Sequence, residues 1–76
     1  MPLVIIKVTG GSEAPTFEQK EELIRGATDL VVRVLGKNRA TTSVIIEEVL
    51  PENWGIGGLN TPARRRLEGK DVPKNP

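Results

Sequence analysis

The sequence predicts an α/β protein: a small β-α-β subunit with parallel strands and a short C-terminal turn or ribbon, which assembles into an oligomer. Two runs of β-branched and aliphatic residues flank one amphipathic segment, and glycine or proline closes each run. A strand, a helix and a strand in this order form a right-handed unit with parallel strands. With only 76 residues the chain cannot build a large core, so association with other subunits is expected to add stability.

The first strand is predicted from Leu3 to Val8, ending at Gly10 and Gly11. Its apolar residues are continuous, which is typical of a strand buried on both faces. Lys7 is the exception, and we expect its side chain to reach an edge or to pair with a carboxylate.

The helix is predicted to begin after Thr16, because Thr16 and Gln19 fit a capping box, and to end at Gly36. Its apolar positions are expected to share one face. They are Leu23, Ile24, Ala27, Leu30, Val31, Val34 and Leu35.

The second strand is predicted from Thr41 to Leu50, closing at Pro51. The glycine-rich segment 53–58 suits a turn or ribbon, and from Asn60 onward prolines and charges predict a tail. We therefore predict a single domain over residues 1–66 and a charged, proline-containing tail over residues 67–76.

Composition narrows the function. Eleven Lys and Arg against ten Asp and Glu give a net charge of +1, which argues against a nucleic-acid partner. The chain has no Cys and no His, so we expect no thiol nucleophile and no metal site of the usual zinc ligands. The apolar start is too short for a membrane span and lacks the features of a secretory signal, which predicts a cytoplasmic protein without a membrane partner.

A helix covers only one face of a two-stranded sheet. Because both strands are apolar on both faces, the second face is expected to meet another subunit. The sequence therefore predicts a multimer with sites between subunits.

Pro2 is the candidate catalytic residue. Glu47 and Glu48 are adjacent on a strand and point to opposite faces, so they form a poor carboxylate pair. If Met1 is removed, Pro2 becomes a secondary amine, and a model α-amino group titrates at about 7.7 to 8.0. Apolar surroundings move such a value toward neutral, where a general base works best.

Four motifs occur in order: Pro2 before an apolar strand, TFEQKEELIRG at the helix start, TTSVIIEEV in the second strand, and NWGIGG in the turn. Together they resemble the 4-oxalocrotonate tautomerase family of the tautomerase superfamily. The resemblance runs from Pro2 to about Arg66.

The resemblance implies a homohexamer, a trimer of dimers, in which Pro2 is a general base that needs no cofactor. The implied activity is keto–enol tautomerisation of a small unsaturated 2-hydroxy or 2-oxo carboxylate of the 2-hydroxymuconate type, in aromatic hydrocarbon catabolism. Arginines of the family hold the substrate oxygens, and Trp54 stands where the family has an aromatic residue lining the apolar wall.

The sequence departs from the family at both arginine clamps. The loop from Gly10 to Pro15 has no basic residue, and Ser43 occupies the second clamp position. Arg39, just before the second strand, and Arg65, near the end of the resemblance, are the candidate replacement cations. The alternative is that Arg39 is a solvated turn residue and that Arg65 belongs to a solvated charge run. Thr41 and Ser43 complete the predicted substrate-binding set.

Two other functions are compatible with this pattern. One is hydration or dehalogenation of a 3-substituted acrylate, which needs an acidic partner and an arginine pair that are not clearly placed. The other is a non-catalytic oligomeric binding module, with the Arg64 to Arg66 run contacting an acidic partner.

Overall fold

The computed structural model describes residues 1–69 and has the predicted order of elements. Its helices and strands are β1 (Leu3–Thr9), α1 (Phe17–Leu35), β2 (Ser43–Val49), β3 (Gly55–Ile56), β4 (Leu59–Asn60) and α2 (Thr61–Leu67). Within residues 1–69, neither helix combines the length and the apolar character needed to cross a membrane. Most of the predicted tail, residues 70–76, lies outside the described residues, and the domain boundary at residue 66 stays a prediction.

β1 and β2 form a two-stranded parallel sheet, as predicted. At the start of the pair the Ser43 backbone N–H donates to the Pro2 carbonyl at 3.0 Å, and beyond the end the Gly10 N–H donates to the Val49 carbonyl at 2.8 Å. The beginnings of the two strands therefore lie side by side, as do their ends.

β2 begins at Ser43, later than the predicted start at Thr41. A 3₁₀ turn occupies Arg39–Thr41 instead, capped by Asn38. The Asn38 side-chain oxygen accepts from the Ala40 N–H at 2.9 Å. The Asn38 backbone carbonyl accepts from the Thr42 hydroxyl at 2.9 Å. These local bonds offer the backbone an alternative to the sheet and override the strand preference of the two threonines.

Both ends of α1 are as predicted. The Thr16 side chain accepts from the Gln19 N–H at 3.1 Å, and the Gln19 side chain accepts from the Thr16 N–H at 2.8 Å, which completes the capping box. Gly36 ends the helix with a φ of 65°, a left-handed conformation that glycine adopts without steric cost.

One compact unit contains residues 1–8 and 15–47. In its part of β1, Val4 and Ile6 are half-buried, whereas Leu3 and Ile5 are 55% and 49% exposed. Ile45 of β2 is likewise exposed. The single chain therefore covers one face of the sheet, so the prediction of burial on both faces requires an additional subunit.

The apolar face of α1 is wider than its covered strip. Ala27 and Val31 are half-buried, but Leu30 and Val34 remain exposed. The residue of α1 that is buried is Thr28, whose hydroxyl donates to the Ile24 carbonyl at 2.7 Å. No hydrophobic side chain within residues 1–69 is buried in the single chain.

The second compact unit contains residues 9–14 and the chain from residue 48. β3 and β4 form the predicted ribbon, and Gly57 and Gly58 have φ values of 64° and 88°, as a tight two-residue hairpin turn requires. The prediction of a tail from Asn60 is wrong for residues 61–67, which form α2. Asn60 caps this helix and Pro62 lies in its first turn, and both are common helix-start residues.

Candidate active site

Pro2 lies half-buried immediately before β1. Its carbonyl accepts the hydrogen bond from the Ser43 N–H, so the backbone of β2 fixes the position of the residue. Met1 is 94% exposed. Removal of Met1 would leave the secondary amine of Pro2 at the anchored end of a strand, and Ser43 contributes to this arrangement through its backbone.

Arg39 and Thr41 belong to the turn before β2, and both side chains have partners within the chain. The Arg39 guanidinium donates to Asp29 of α1 at 2.5 Å, with the two side chains 54% and 59% exposed. The Thr41 hydroxyl donates to the Asn38 carbonyl at 3.3 Å. An ion pair this exposed holds its arginine weakly, because water competes for both groups.

Trp54 is half-buried, and its backbone is held on both sides. Its N–H donates to the Pro51 carbonyl at 3.1 Å, and its carbonyl accepts from the Thr61 hydroxyl at 2.9 Å. Thr61 is only 5% exposed. The first residue of α2 therefore fixes the segment that carries the indole ring.

Arg65 of α2 forms a bidentate ion pair with Glu13, and we call Thr9, Glu13 and Arg65 the Glu13 cluster. Arg65 Nη1 donates to Glu13 Oε2, and Nη2 donates to Oε1 at 3.2 Å. The Thr9 hydroxyl donates to the same Oε1 at 2.8 Å. The Arg65 and Glu13 side chains are 16% and 12% exposed, so this pair is shielded from water.

The hydrogen bonds from Arg65, and then that from Thr9, lower the pKa of the Glu13 carboxyl below its ordinary value of 4.5, and desolvation opposes them only in part. The hydrogen bond to Glu13 in turn raises the pKa of Arg65. Both groups are therefore charged at neutral pH, and the pair carries no net charge.

Other charged residues are also paired. Arg64 Nε donates to Glu68 at 2.7 Å, so two guanidiniums of the 64–66 run already have carboxylate partners. This pairing weakens the case for a solvated basic run that contacts an acidic partner. Lys7 lies 3.5 Å from Glu47, which confirms the expectation that Lys7 pairs with a carboxylate.

A family model described as a tautomerase enzyme matches residues 2–64. This chain belongs to the tautomerase family. It is 53% identical over 66 residues to a probable tautomerase of Dickeya dadantii, a match that covers 87% of this chain and 96% of the relative.

Solved structures of tautomerases have the same fold. DmpI from Helicobacter pylori matches with a TM-score of 0.77 and 45% identity, over 86% of this chain and 97% of DmpI. A heterohexamer 4-oxalocrotonate tautomerase from Chloroflexus aurantiacus matches with a TM-score of 0.72 and 31% identity, over 82% of this chain and 95% of that one.

The sequence of this tautomerase-family protein did not reveal the partners of its predicted site residues. Glu13 was counted only as part of a loop without a base, yet it binds a predicted substrate arginine 52 positions away. Thr9 and Thr61 had no assigned role. No signal in the sequence indicated this pair, because the shielding of Glu13 from water is a property of the folded chain.

Proposed function

We propose that this member of the tautomerase family catalyses keto–enol tautomerisation with Pro2 as the general base after removal of Met1. The proposed substrate is a small unsaturated 2-hydroxy or 2-oxo carboxylate of the 2-hydroxymuconate type, a class formed in aromatic hydrocarbon catabolism. The observation that carries this proposal is that the family match begins at Pro2, the residue that the first hydrogen bond from β2 anchors.

The proposed reaction is a proton transfer. The amine takes the proton from the 2-hydroxyl, the electrons move through the diene, and the protonated amine returns a proton to carbon. One O–H bond breaks and one C–H bond forms, so no oxidant, reductant or cofactor is required. A base held in place during this step accelerates it about 100-fold or more.

Arg65 and Trp54 are the proposed substrate-binding residues. Negative charge develops on the oxygen of the dienolate, and a preorganised guanidinium donor stabilises that charge most where water is excluded. Trp54 would supply an apolar wall on a fixed backbone. The substrate-binding roles of Arg39, Thr41 and Ser43 stay predictions, and mutation of each residue tests them.

We further propose a homohexamer, arranged as a trimer of dimers. The exposed apolar residues of the sheet and the absence of a buried hydrophobic side chain within residues 1–69 support association. The heterohexameric relative supports six subunits. Native mass spectrometry should give six times the subunit mass, and a stable monomer at micromolar concentration would contradict the proposal.

The test of activity follows the ultraviolet absorbance of 2-hydroxymuconate and of 2-hydroxy-2,4-pentadienoate with wild type, Pro2→Ala and Pro15→Ala. Pro2→Ala should lower kcat/KM about 100-fold or more, because a primary amine in a changed backbone is a poorer base. Pro15→Ala is the matched control, since Pro15 is also half-buried but precedes α1.

Equal native masses for the three proteins would show that assembly is intact. Full activity in Pro2→Ala would overturn the proposed mechanism. No conversion of either compound by a protein with a free Pro2 amine would favour another substrate class or the binding module.

A further inference from the structure

The Glu13 cluster changes what Arg65 can recognise. A free guanidinium attracts a carboxylate through its full positive charge. In this structure the Glu13 carboxylate already neutralises the Arg65 guanidinium through two hydrogen bonds, and the pair is largely shielded from water. A ligand that approaches Arg65 therefore meets a neutral pair.

The guanidinium nevertheless keeps hydrogen-bonding capacity. Arginine has five N–H donors, and two of them point to Glu13. The others remain able to donate to a carbonyl or hydroxyl oxygen, or to an oxygen that gains partial negative charge in the transition state. A second carboxylate there would place its charge near that of Glu13, and like charges in a shielded environment repel strongly.

We propose that Glu13 selects substrates with a single carboxylate, because it turns Arg65 from a carboxylate clamp into a neutral hydrogen-bonding pair. This inference rests on the proposed function, which assigns Arg65 to substrate binding. The favoured substrate is a monocarboxylate dienol with an uncharged far end. Within the proposed substrate class, a monocarboxylate such as 2-hydroxy-2,4-pentadienoate is therefore favoured over the dicarboxylate 2-hydroxymuconate.

α2 itself offers a control for this proposal. Glu68 also pairs with an arginine of α2, Arg64, but these side chains are 34% and 38% exposed. Glu13→Gln and Glu68→Gln each remove one negative charge from an arginine partner. Only Glu13→Gln removes it from the pair that contains Arg65, and glutamine retains an acceptor oxygen for Thr9 and Arg65.

The experiment measures binding of two six-carbon ligands by calorimetry: muconate with two carboxylates, and sorbate with one. The proteins are wild type, Glu13→Gln, Glu68→Gln and the double variant Glu13→Gln with Arg65→Gln. The ratio of muconate affinity to sorbate affinity should be about tenfold higher in Glu13→Gln than in wild type. Glu68→Gln should change this ratio by less than about twofold, and the double variant should restore the wild-type ratio.

Three results would overturn the proposal. One is a ratio of muconate affinity to sorbate affinity in Glu13→Gln that equals that of wild type. A Glu13→Gln protein that does not bind muconate counts as the same result. Another is a shift that survives the removal of Arg65. The third needs no variant: wild type that binds muconate about tenfold more tightly than sorbate.

Failure of the proposed function has a different signature. Turnover that is absent, or independent of Pro2, removes the tautomerase mechanism. The ratio of binding constants requires no turnover, so it still reports the effect of Glu13 on charge selection.

Discussion

Two arginines of this chain are paired with carboxylates in contrasting ways. Arg39 in the turn before β2 contacts Asp29 with both side chains more than half exposed, at 54% and 59%. Arg65 on α2 contacts Glu13 with two hydrogen bonds at 16% and 12% exposure, and Thr9 supports the same carboxylate. The first pair is open to water and the second is shielded.

The difference shows that pairing alone does not decide what an arginine can do. In the exposed pair, water and salt weaken the attraction, and the guanidinium exchanges partners at low cost. In the shielded pair, two parallel bonds fix the guanidinium plane, and the charge is cancelled locally. We therefore expect Arg65 to be preorganised and Arg39 to be replaceable.

The largest expected effect is a difference in catalytic efficiency between variants of the two arginines. Arg65→Gln should lower kcat/KM for the monoacid dienol about 100-fold, mainly through kcat, because it removes a fixed donor to the developing oxyanion. Arg39→Gln should change it by less than about threefold, since the ion pair of Arg39 with Asp29 is exposed and water competes for both groups. The measurement is steady-state kinetics of both variants.

The reverse ranking would contradict this comparison. A loss of about 100-fold in Arg39→Gln with near-normal Arg65→Gln would assign the substrate clamp to the turn before β2. A native mass equal to that of wild type in both variants serves as the control for folding and assembly.

A second contrast concerns the buried hydroxyls of Thr61 and Thr28, at 5% and 8% exposure. Thr61→Val should lower the free energy of unfolding by about 1 kcal/mol, because the Trp54 carbonyl loses its donor, and should shift the Trp54 fluorescence. Thr28→Val should lower the free energy of unfolding by less. The Thr28 hydroxyl donates to the Ile24 carbonyl, which the backbone hydrogen bonding of α1 already satisfies. Urea unfolding followed by circular dichroism checks both values.

An unaltered Trp54 emission spectrum in Thr61→Val would show that the hydroxyl does not position this segment. Equal losses in the two variants would remove the distinction between a bond within a helix and one that joins α2 to the residue before β3.

The smallest expected effect is a pH dependence of stability. The unfolded Glu13 carboxyl takes up a proton near 4.5, whereas in the folded state its pKa is lowered by Arg65 and Thr9. The pair therefore stabilises the fold above that value, and this contribution is lost as the pH falls through the folded-state pKa. The Tm difference between wild type and Glu13→Gln should shrink as the pH falls through 4.5 and on through the folded-state pKa.

Asp29→Asn is the control for this titration, because it removes the acidic partner of Arg39 in the exposed pair. A Tm difference between wild type and Glu13→Gln that stays constant over the whole range would contradict the role of the charged Glu13 carboxylate.

Local interactions were predictable from the sequence, and long-range ones were not. Thr16 and Gln19 are three positions apart, so their reciprocal bonds follow from the helix start itself. The pair of Glu13 and Arg65 spans 52 positions, and no local pattern contains it. The start of α2 was not predicted for another reason: prolines and charges such as those after Asn60 are also typical of a tail, although Asn60 and Pro62 fit a helix start.

The candidate site likewise has features that the sequence indicates and features that only the folded chain shows. Pro2 could be proposed from the sequence because the motifs that follow it resemble a family with an amino-terminal proline base, and its catalytic role stays a proposal. The loss of both family clamps was visible at Ser43 and in the loop from Gly10 to Pro15. The partner of Arg65 was not visible, because burial and pairing are properties of the folded chain.

The most direct test of the central claim compares one chain with and without Met1. Removal of Met1 makes Pro2 a secondary amine, whereas retention leaves it an amide with no basicity. The account predicts that the processed protein interconverts 2-hydroxy-2,4-pentadienoate and its keto form, and that the Met1-retaining protein of equal native mass is about 100-fold slower or worse. Equal rates for the two proteins, each verified by intact mass, would contradict a proline base.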